Sequence, residues 1–289
     1  MTDLSLSAAP PARFALLRRL VSDPMGAIGL AIVVLVVLAA VFAPMIAPYD
    51  PLAMDMKARL ASPSALHLLG TDQMGRDTFS RMIMGTRVAL QVAIPSTLAA
   101  LMIGTTLGMI AGFGPRWLDA AISFLFDLLR SYPTVMLALA LVALFGPSLA
   151  TVLVVVILTS IPIYGRVART QTMAIRGEDY IIAEQAMGAG LPRILFRHIG
   201  PNIIGPLVVL ASMDIPAVIA LEAGLSFLGM GVKPPAPSWG ALLKDGYSLI
   251  RSTPWLVIAG AIPIVITTLG YTFLGEALRD ATDPRAHRN

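Results

Sequence analysis

The chain has 289 residues, of which 56% are hydrophobic and 13% charged, with a formal net charge of +4 and no cysteine. A soluble domain carries about twice that charged fraction, so the composition excludes an ordinary water-soluble enzyme and points to one polytopic membrane domain. The missing cysteines exclude disulfides and thiolate metal sites, and His67, His198 and His287 lie too far apart in sequence to form a metal-ligand pair.

Residues 1 to 24 are polar, carry Arg13, Arg18 and Arg19, and read as a cytoplasmic segment without a cleavable signal. A spanning helix needs about 20 apolar residues. Met25 to Ala47 supplies a first span, and an outer segment then runs to residue 87. In that segment Asp77 and Arg81 stand one helical turn apart and are expected to pair. Val88 to Phe113 is the second span. Its Gly104, Gly108 and Gly112 line one face, where another helix of this subunit or of a partner can approach closely. Leu118 to Phe145 is the third span and contains Asp127, Arg130 and Pro133. Asp127 and Arg130 share a face near mid-membrane, where an unpaired charge costs at least about 2.5 kcal/mol. They are expected to pair with each other or with a partner subunit and to line a translocation path. Ser148 to about Arg166 is the fourth span.

Asn202 to Ala223 is the fifth span, interrupted by Pro206, Asp214 and Pro216, and Asp214 is a second candidate for the path. Glu222 reads as a residue that anchors the outer helix end. Lys233 to Trp255, with Pro234, Pro235, Pro237 and two tryptophans, reads as a rigid outer loop with interfacial anchors. Trp255 to about Gly275 is the sixth span, and residues 278 to 289 form a tail. Six spans put both termini on one side. With that side cytoplasmic, twelve of the 21 basic residues lie inside, eight lie outside, and Arg130 is within a span. The positive-inside rule therefore favours this orientation, with the inner arginines facing lipid headgroups.

Between the fourth and fifth spans lies a polar stretch, "EDYIIAEQAMGAGLPRILFRHIGPN", at residues 178 to 202. Ile175 to Met187 is expected to form a short helix with Glu178 and Asp179 in its first turn, where negative charge suits the helix dipole. Gly188 and Gly190 break that helix, Pro192 opens a second one, and Pro201 separates the second from the next span. The small and polar centre of the first helix suits insertion into a groove on a soluble protein. A plain interfacial helix pair is the competing reading.

The segment resembles the cytoplasmic EAA loop of ABC importer permeases. Ala183, Gly188 and Pro201 match that pattern, while Ile182, Glu184 and Gly200 depart from it. Three further stretches resemble the second permease subunit of the dipeptide, oligopeptide, nickel and opine importers: "HLLGTDQMGRDTFSRMIMGTRVAL" (67 to 90), "EAGLSFLGMGVKPPAPSWGALLKDG" (222 to 246) and "LRDATDP" (278 to 284). The resemblance spans about residues 20 to 285. It implies an all-α, six-helix membrane protein of the type I importer fold, with a transmembrane core over 88 to 277 and a coupling loop over 169 to 201. It also implies a homologous second permease, one or two cytoplasmic ATPases, and a periplasmic or lipid-anchored substrate-binding protein, in the bacterial inner membrane. Glu178, Asp179, Tyr180, Ala183, Glu184, Ala186, Gly188, Ala189 and Arg193 would then face an ATPase. ATP and Mg2+ would sit on that partner, because this chain contains no G-x-x-x-x-G-K-[ST] phosphate loop. Peptides are the expected cargo, with nickel chelates, glutathione and opines as rivals. Neither of the two other readings accounts for residues 178 to 202. One is a proton-coupled carrier that relays through Asp127, Asp214 and Glu222; the other is a membrane enzyme, for which no catalytic motif is recognisable.

Overall fold

The computed structural model describes Arg18 and residues 20 to 282, so Arg13, Arg19, His287 and most of the expected tail lie outside the described residues. Five continuous helices are long and apolar enough to cross a bilayer: α1 (Pro24–Val41), α2 (Thr78–Phe113), α5 (Leu149–Ile175), α7 (Leu191–Phe227) and α9 (Trp255–Thr282). The sixth apolar segment is broken into α3 (Arg116–Ser131) and α4 (Thr134–Phe145), bent by 87°. The cause lies at the break. Pro133 has no N–H to donate and disfavours helical backbone at Tyr132, which takes φ −92° and ψ 131°. The third apolar segment expected from composition is thus present but bent at Pro133. Among the short helices outside the spans are α6 (Asp179–Ala186) and α8 (Trp239–Ser248).

Helix starts follow local chemistry. The Asp23 carboxylate accepts from the Gly26 amide at 2.7 Å, with Pro24 in the first turn of α1. Ser148 and Ser238 cap α5 and α8 in the same way. Beyond Ile175 the chain turns at residues 176 to 178, so the short helix begins at Asp179 and not at Ile175. Pro201 does not interrupt α7. A π-helical turn over Ile194–Ile199 precedes it, and the wider turn carries the chain past the residue that lacks an amide proton.

The core is organised around α2 against α5. A β-carbon on Gly104 would come within 2.6 Å of the Ile161 carbonyl, on Gly108 within 2.2 Å of the Gly165 carbonyl, and on Gly112 within 2.6 Å of the Arg169 carbonyl. The glycine face thus meets a helix of its own subunit, backbone to backbone. Phe126 of α3 packs on α5 at Gly165, with its ring 2.2 Å from where a β-carbon of Gly165 would stand. Three of the arginines expected on the inner side also bond within the chain. Arg169 grips Asp119 through Nε and Nη2, Arg166 donates to Asp127, and Arg176 Nη1 donates to the Gly112 carbonyl at 3.0 Å. Arginine's fork geometry suits such two-point grips.

At the opposite end, residues 70 to 81 form a tight knot. The Asp72 carboxylate accepts from the Met74 and Arg76 amides and from Arg76 Nε at 2.7 Å, and Arg81 Nε stands 3.5 Å away. Asp77 caps α2 by accepting from the Ser80 amide and hydroxyl, and its other oxygen is 2.9 Å from His67 Nδ1. The expected Asp77–Arg81 pair is thus replaced by Asp72–Arg81. A helix N-cap looks back along the chain, and Asp77 is fully used there. Gly75 has φ +73° and no room for a side chain, since a β-carbon would meet the Asp55 carbonyl at 1.7 Å. The tryptophan expected as an interfacial anchor at 239 is fully buried, and its Nε1 donates to the Met82 carbonyl at 3.0 Å. That bond pins α8 to the start of α2.

Substituting Gly108 by Val should cost about 1–3 kcal/mol, because the clash is with backbone that cannot rotate away. Met102→Ala, at a side chain 69% exposed on the same helix, should cost far less. Thermal unfolding of the purified protein in detergent reads both; equal melting temperatures would contradict the packing.

Candidate functional site

Two regions gather the residues singled out from sequence. The first is α6 and its surroundings. Ile181 is its one buried residue and packs in the core with Ile194, Leu195 and Ile199 of α7, Phe126 of α3 and Tyr164 of α5. Tyr180, Ile182 and Met187 are exposed, and so are Glu178, Asp179, Ala183 and Ala186. A helix of eight residues pinned through one side chain leaves most of its circumference free. That free surface is apolar and small at its centre.

The helix ends in a Schellman arrangement. The Ala189 amide donates to the Glu184 carbonyl at 3.0 Å and the Gly188 amide to the Gln185 carbonyl at 2.9 Å. Gly188 has φ +78° with open space around it, so glycine is needed there for backbone conformation and not for room. Gly190 has φ −69° and starts the next helix, with Pro192 in its first turn.

Glu184 does not join the free surface. Its carboxylate lies 3.4 Å from His198 Nε2 and 3.7 Å from Arg193 Nε, and its side chain is 17% exposed. It ties α6 to α7. Arg193 is itself exposed, and Ala189 is half-buried under the turn. Tyr180 adds a second tie, where Asn202 Nδ2 reaches its hydroxyl at 3.4 Å.

The second region is a cavity of about 250 Å³ at the bend between α3 and α4, lined by Arg130 and Tyr132 together with Thr159 and Ser160 of α5 and Asp214 of α7. The 87° bend turns Arg130 into this space. The Tyr164 hydroxyl donates to Asp214 Oδ2 at 2.9 Å and fixes the carboxylate at the wall. Asp127 is not in the cavity. Its partner is Arg166, 2.5 Å away, so the expected Asp127–Arg130 pair is corrected. Although three residues apart, Arg130 faces the cavity while Asp127 faces α5. Glu222 is fully buried and accepts from the Ser226 hydroxyl at 2.7 Å within α7, which runs on to Phe227. It lies five residues before that end and bonds into the last turn of the helix.

Sequence reasoning found Arg130 and Asp214 but missed Tyr164, Arg166 and Asp119. A tyrosine within an apolar run carries no signal of its own, and the two ion pairs join residues 39 and 50 positions apart.

Comparison with known proteins places this geometry. Residues 104–288 match the model of the binding-protein-dependent transport system inner membrane component, and residues 15–63 match the N-terminal transmembrane domain of oligopeptide transport permease C. The dipeptide transport system permease protein DppC of Alkalihalophilus pseudofirmus is 39% identical over 93% of this chain and 88% of that protein. The glutathione transport system permease protein GsiD of Pectobacterium atrosepticum is 42% identical over 88% of this chain and 84% of that protein. Among solved structures, an inward-facing form of the MetNI methionine ABC transporter superposes with a TM-score of 0.58 at 18% identity, covering 70% of this chain and 97% of that one. The fold is the type I ABC importer permease fold, and the chain is a multi-pass membrane subunit and not itself an enzyme. Its two family matches and its relatives agree: this chain belongs to the binding-protein-dependent transport system inner membrane component family.

Proposed function

We propose that this chain is one of two homologous membrane subunits of an ATP-driven importer of short peptides, glutathione included, delivered by an extracytoplasmic binding protein. The cargo reading rests on relatives named for dipeptide and glutathione transport. The observation that carries the mechanism is α6: a short helix held by Ile181, Glu184 and Tyr180, with Ile182, Ala183, Ala186 and Met187 left free. Such a surface fits a groove on a cytoplasmic ATPase that supplies ATP and Mg2+. Glu178, Asp179, Gly188, Ala189 and Arg193 frame the contact. Both termini are cytoplasmic in this reading, and a single cavity between two permeases would hold the cargo.

Movement of α6 has a packed route to the membrane interior. Ile181, Phe126 and Tyr164 belong to one apolar cluster, and the Tyr164 hydroxyl holds Asp214 at the cavity wall. ATP binding that favours one ATPase spacing therefore biases the cavity between two arrangements. Arg130 and Asp214 line the path, and Asp127 acts from behind it by locking α3 to α5.

Four outcomes test this reading. A reporter fused after Arg176 should read cytoplasmic and one fused near Ser64 external; the reverse would remove the ATPase contact altogether. Ala183→Arg, which adds volume to the free face, should abolish co-purification of the ATPases from the assembled complex while the subunit stays inserted. At Gly188, Asn should be tolerated and Val should lose about 1–2 kcal/mol of turn stability, seen as faster hydrogen exchange at residues 187 to 191. Asp214→Asn should keep the ATPases bound yet lower ATP-dependent peptide uptake in vesicles about tenfold, equivalent to 1.4 kcal/mol. Normal uptake by Ala183→Arg would leave α6 an ordinary interfacial helix, and normal uptake by Asp214→Asn would remove that carboxylate from the path.

A further inference from the structure

A second cavity, of about 440 Å³, lies at the far end of the bundle from α6 and belongs to neither region above. The knot supplies Arg76 and Arg81, the loop after α7 supplies Lys233, and α8 supplies Lys244 and Asp245. Arg76 is 5% exposed and Arg81 2%, whereas both lysines are exposed at the rim. The floor of the cavity is therefore two buried guanidinium groups, and its mouth is two ammonium groups.

These charges are not balanced within the chain. Asp72 is shared by both arginines, bonded to Arg76 and 3.5 Å from Arg81 Nε. Arg81 Nη1 reaches the Pro51 carbonyl at 3.3 Å, but its buried Nε has no hydrogen-bond acceptor. Among the described residues, neither Lys233 nor Lys244 has a carboxylate within ion-pair distance. The Lys244 ammonium instead lies against Gly229, 3.1 Å from where its β-carbon would stand. Among the residues that line the cavity there are four cations and one carboxylate, Asp245. Holding buried like charges together is costly, and an unpaired donor in such a place is an open demand for an acceptor.

We propose that this cavity is a carboxylate-binding site, in which Arg76 and Arg81 receive the carboxylate and Lys233 and Lys244 close over it. Arginine presents the parallel donors a carboxylate takes up, and the lysines act as point charges that draw it in. In the orientation given above, on which this inference rests, the cavity opens outside the cell. The carboxylate then comes either from a small solute, such as the free end of a peptide, or from an acidic side chain of the docked binding protein.

Lysine chemistry gives a direct test, because the chain has only three lysines: Lys57, Lys233 and Lys244. The assembled complex in lipid nanodiscs is acylated with a water-soluble amine reagent, and each lysine is followed by peptide mass spectrometry. Glutarate should slow acylation of Lys233 and Lys244 in a saturable manner, about threefold at twice the half-saturating concentration, while Lys57 keeps its rate. Chloride at equal ionic strength should not. Protection by the purified binding protein without protection by glutarate assigns the carboxylate to that protein, provided Lys233→Gln/Lys244→Gln weakens docking most at low salt. The proposal is overturned if neither agent protects, if chloride protects equally, if all three lysines slow together, or if only the binding protein protects and the double variant docks as tightly as the parent. Labelling of purified complexes does not depend on membrane orientation or uptake, so failure here is separable from failure of the importer reading.

Discussion

The glycine contact between α2 and α5 is the constraint from which the rest of the arrangement follows. In lipid the solvent does not drive helices together, because the bilayer interior is as apolar as their side chains, so close backbone approach must supply the attraction. Gly104, Gly108 and Gly112 permit that approach over three turns. With α5 held there, its Arg166 and Arg169 reach Asp127 and Asp119 on α3, and Gly165 leaves the space that Phe126 fills. The fixed α5 also sets the height of Tyr164, and hence the place where Asp214 is held.

Charge is used differently at the two ends. Toward α6 the ion pairs are partly solvated: Asp127 and Arg166 are 69% and 48% exposed, so each contributes little alone and the pair can break and re-form. In the knot, Asp72, Arg76, Asp77 and Arg81 are almost wholly buried. Removing one member there leaves a stranded charge, which is far more costly than losing a surface pair. The end assigned to coupling is loosely tied, and the opposite end is rigid.

Much of this was legible in the residue pattern, and the failures share a cause. Apolar runs of spanning length marked the membrane helices, because burial of the backbone in lipid leaves few alternatives. Gly188 was legible as a turn because a positive φ selects glycine. Partner choice was not. Asp127 with Arg130, and Asp77 with Arg81, are the pairs that helical spacing suggests, yet Asp127 found Arg166, Asp77 turned to cap its own helix and Arg81 met Asp72. Spacing along one helix says which side chains can meet, while tertiary approach decides which do. Pro201 misled for a related reason: proline forbids one hydrogen-bonding pattern, and the π turn before it uses another. Trp239, placed at the interface by habit of its residue type, was buried because Gly85 makes room for its ring.

The uninterrupted α7 carries one more implication. At 37 residues it is about 55 Å long, starting beside α6 and passing Asp214 about two thirds of the way along, before Ser226 at the wall of the second cavity. Were α7 to tilt as a rod about Asp214, its ends would move in opposite senses and unequally: about 5° would displace the end beside α6 by about 3 Å and the far end by about 1.7 Å. Its two extremities would then be parts of one lever with arms of unequal length, the longer one on the side of α6.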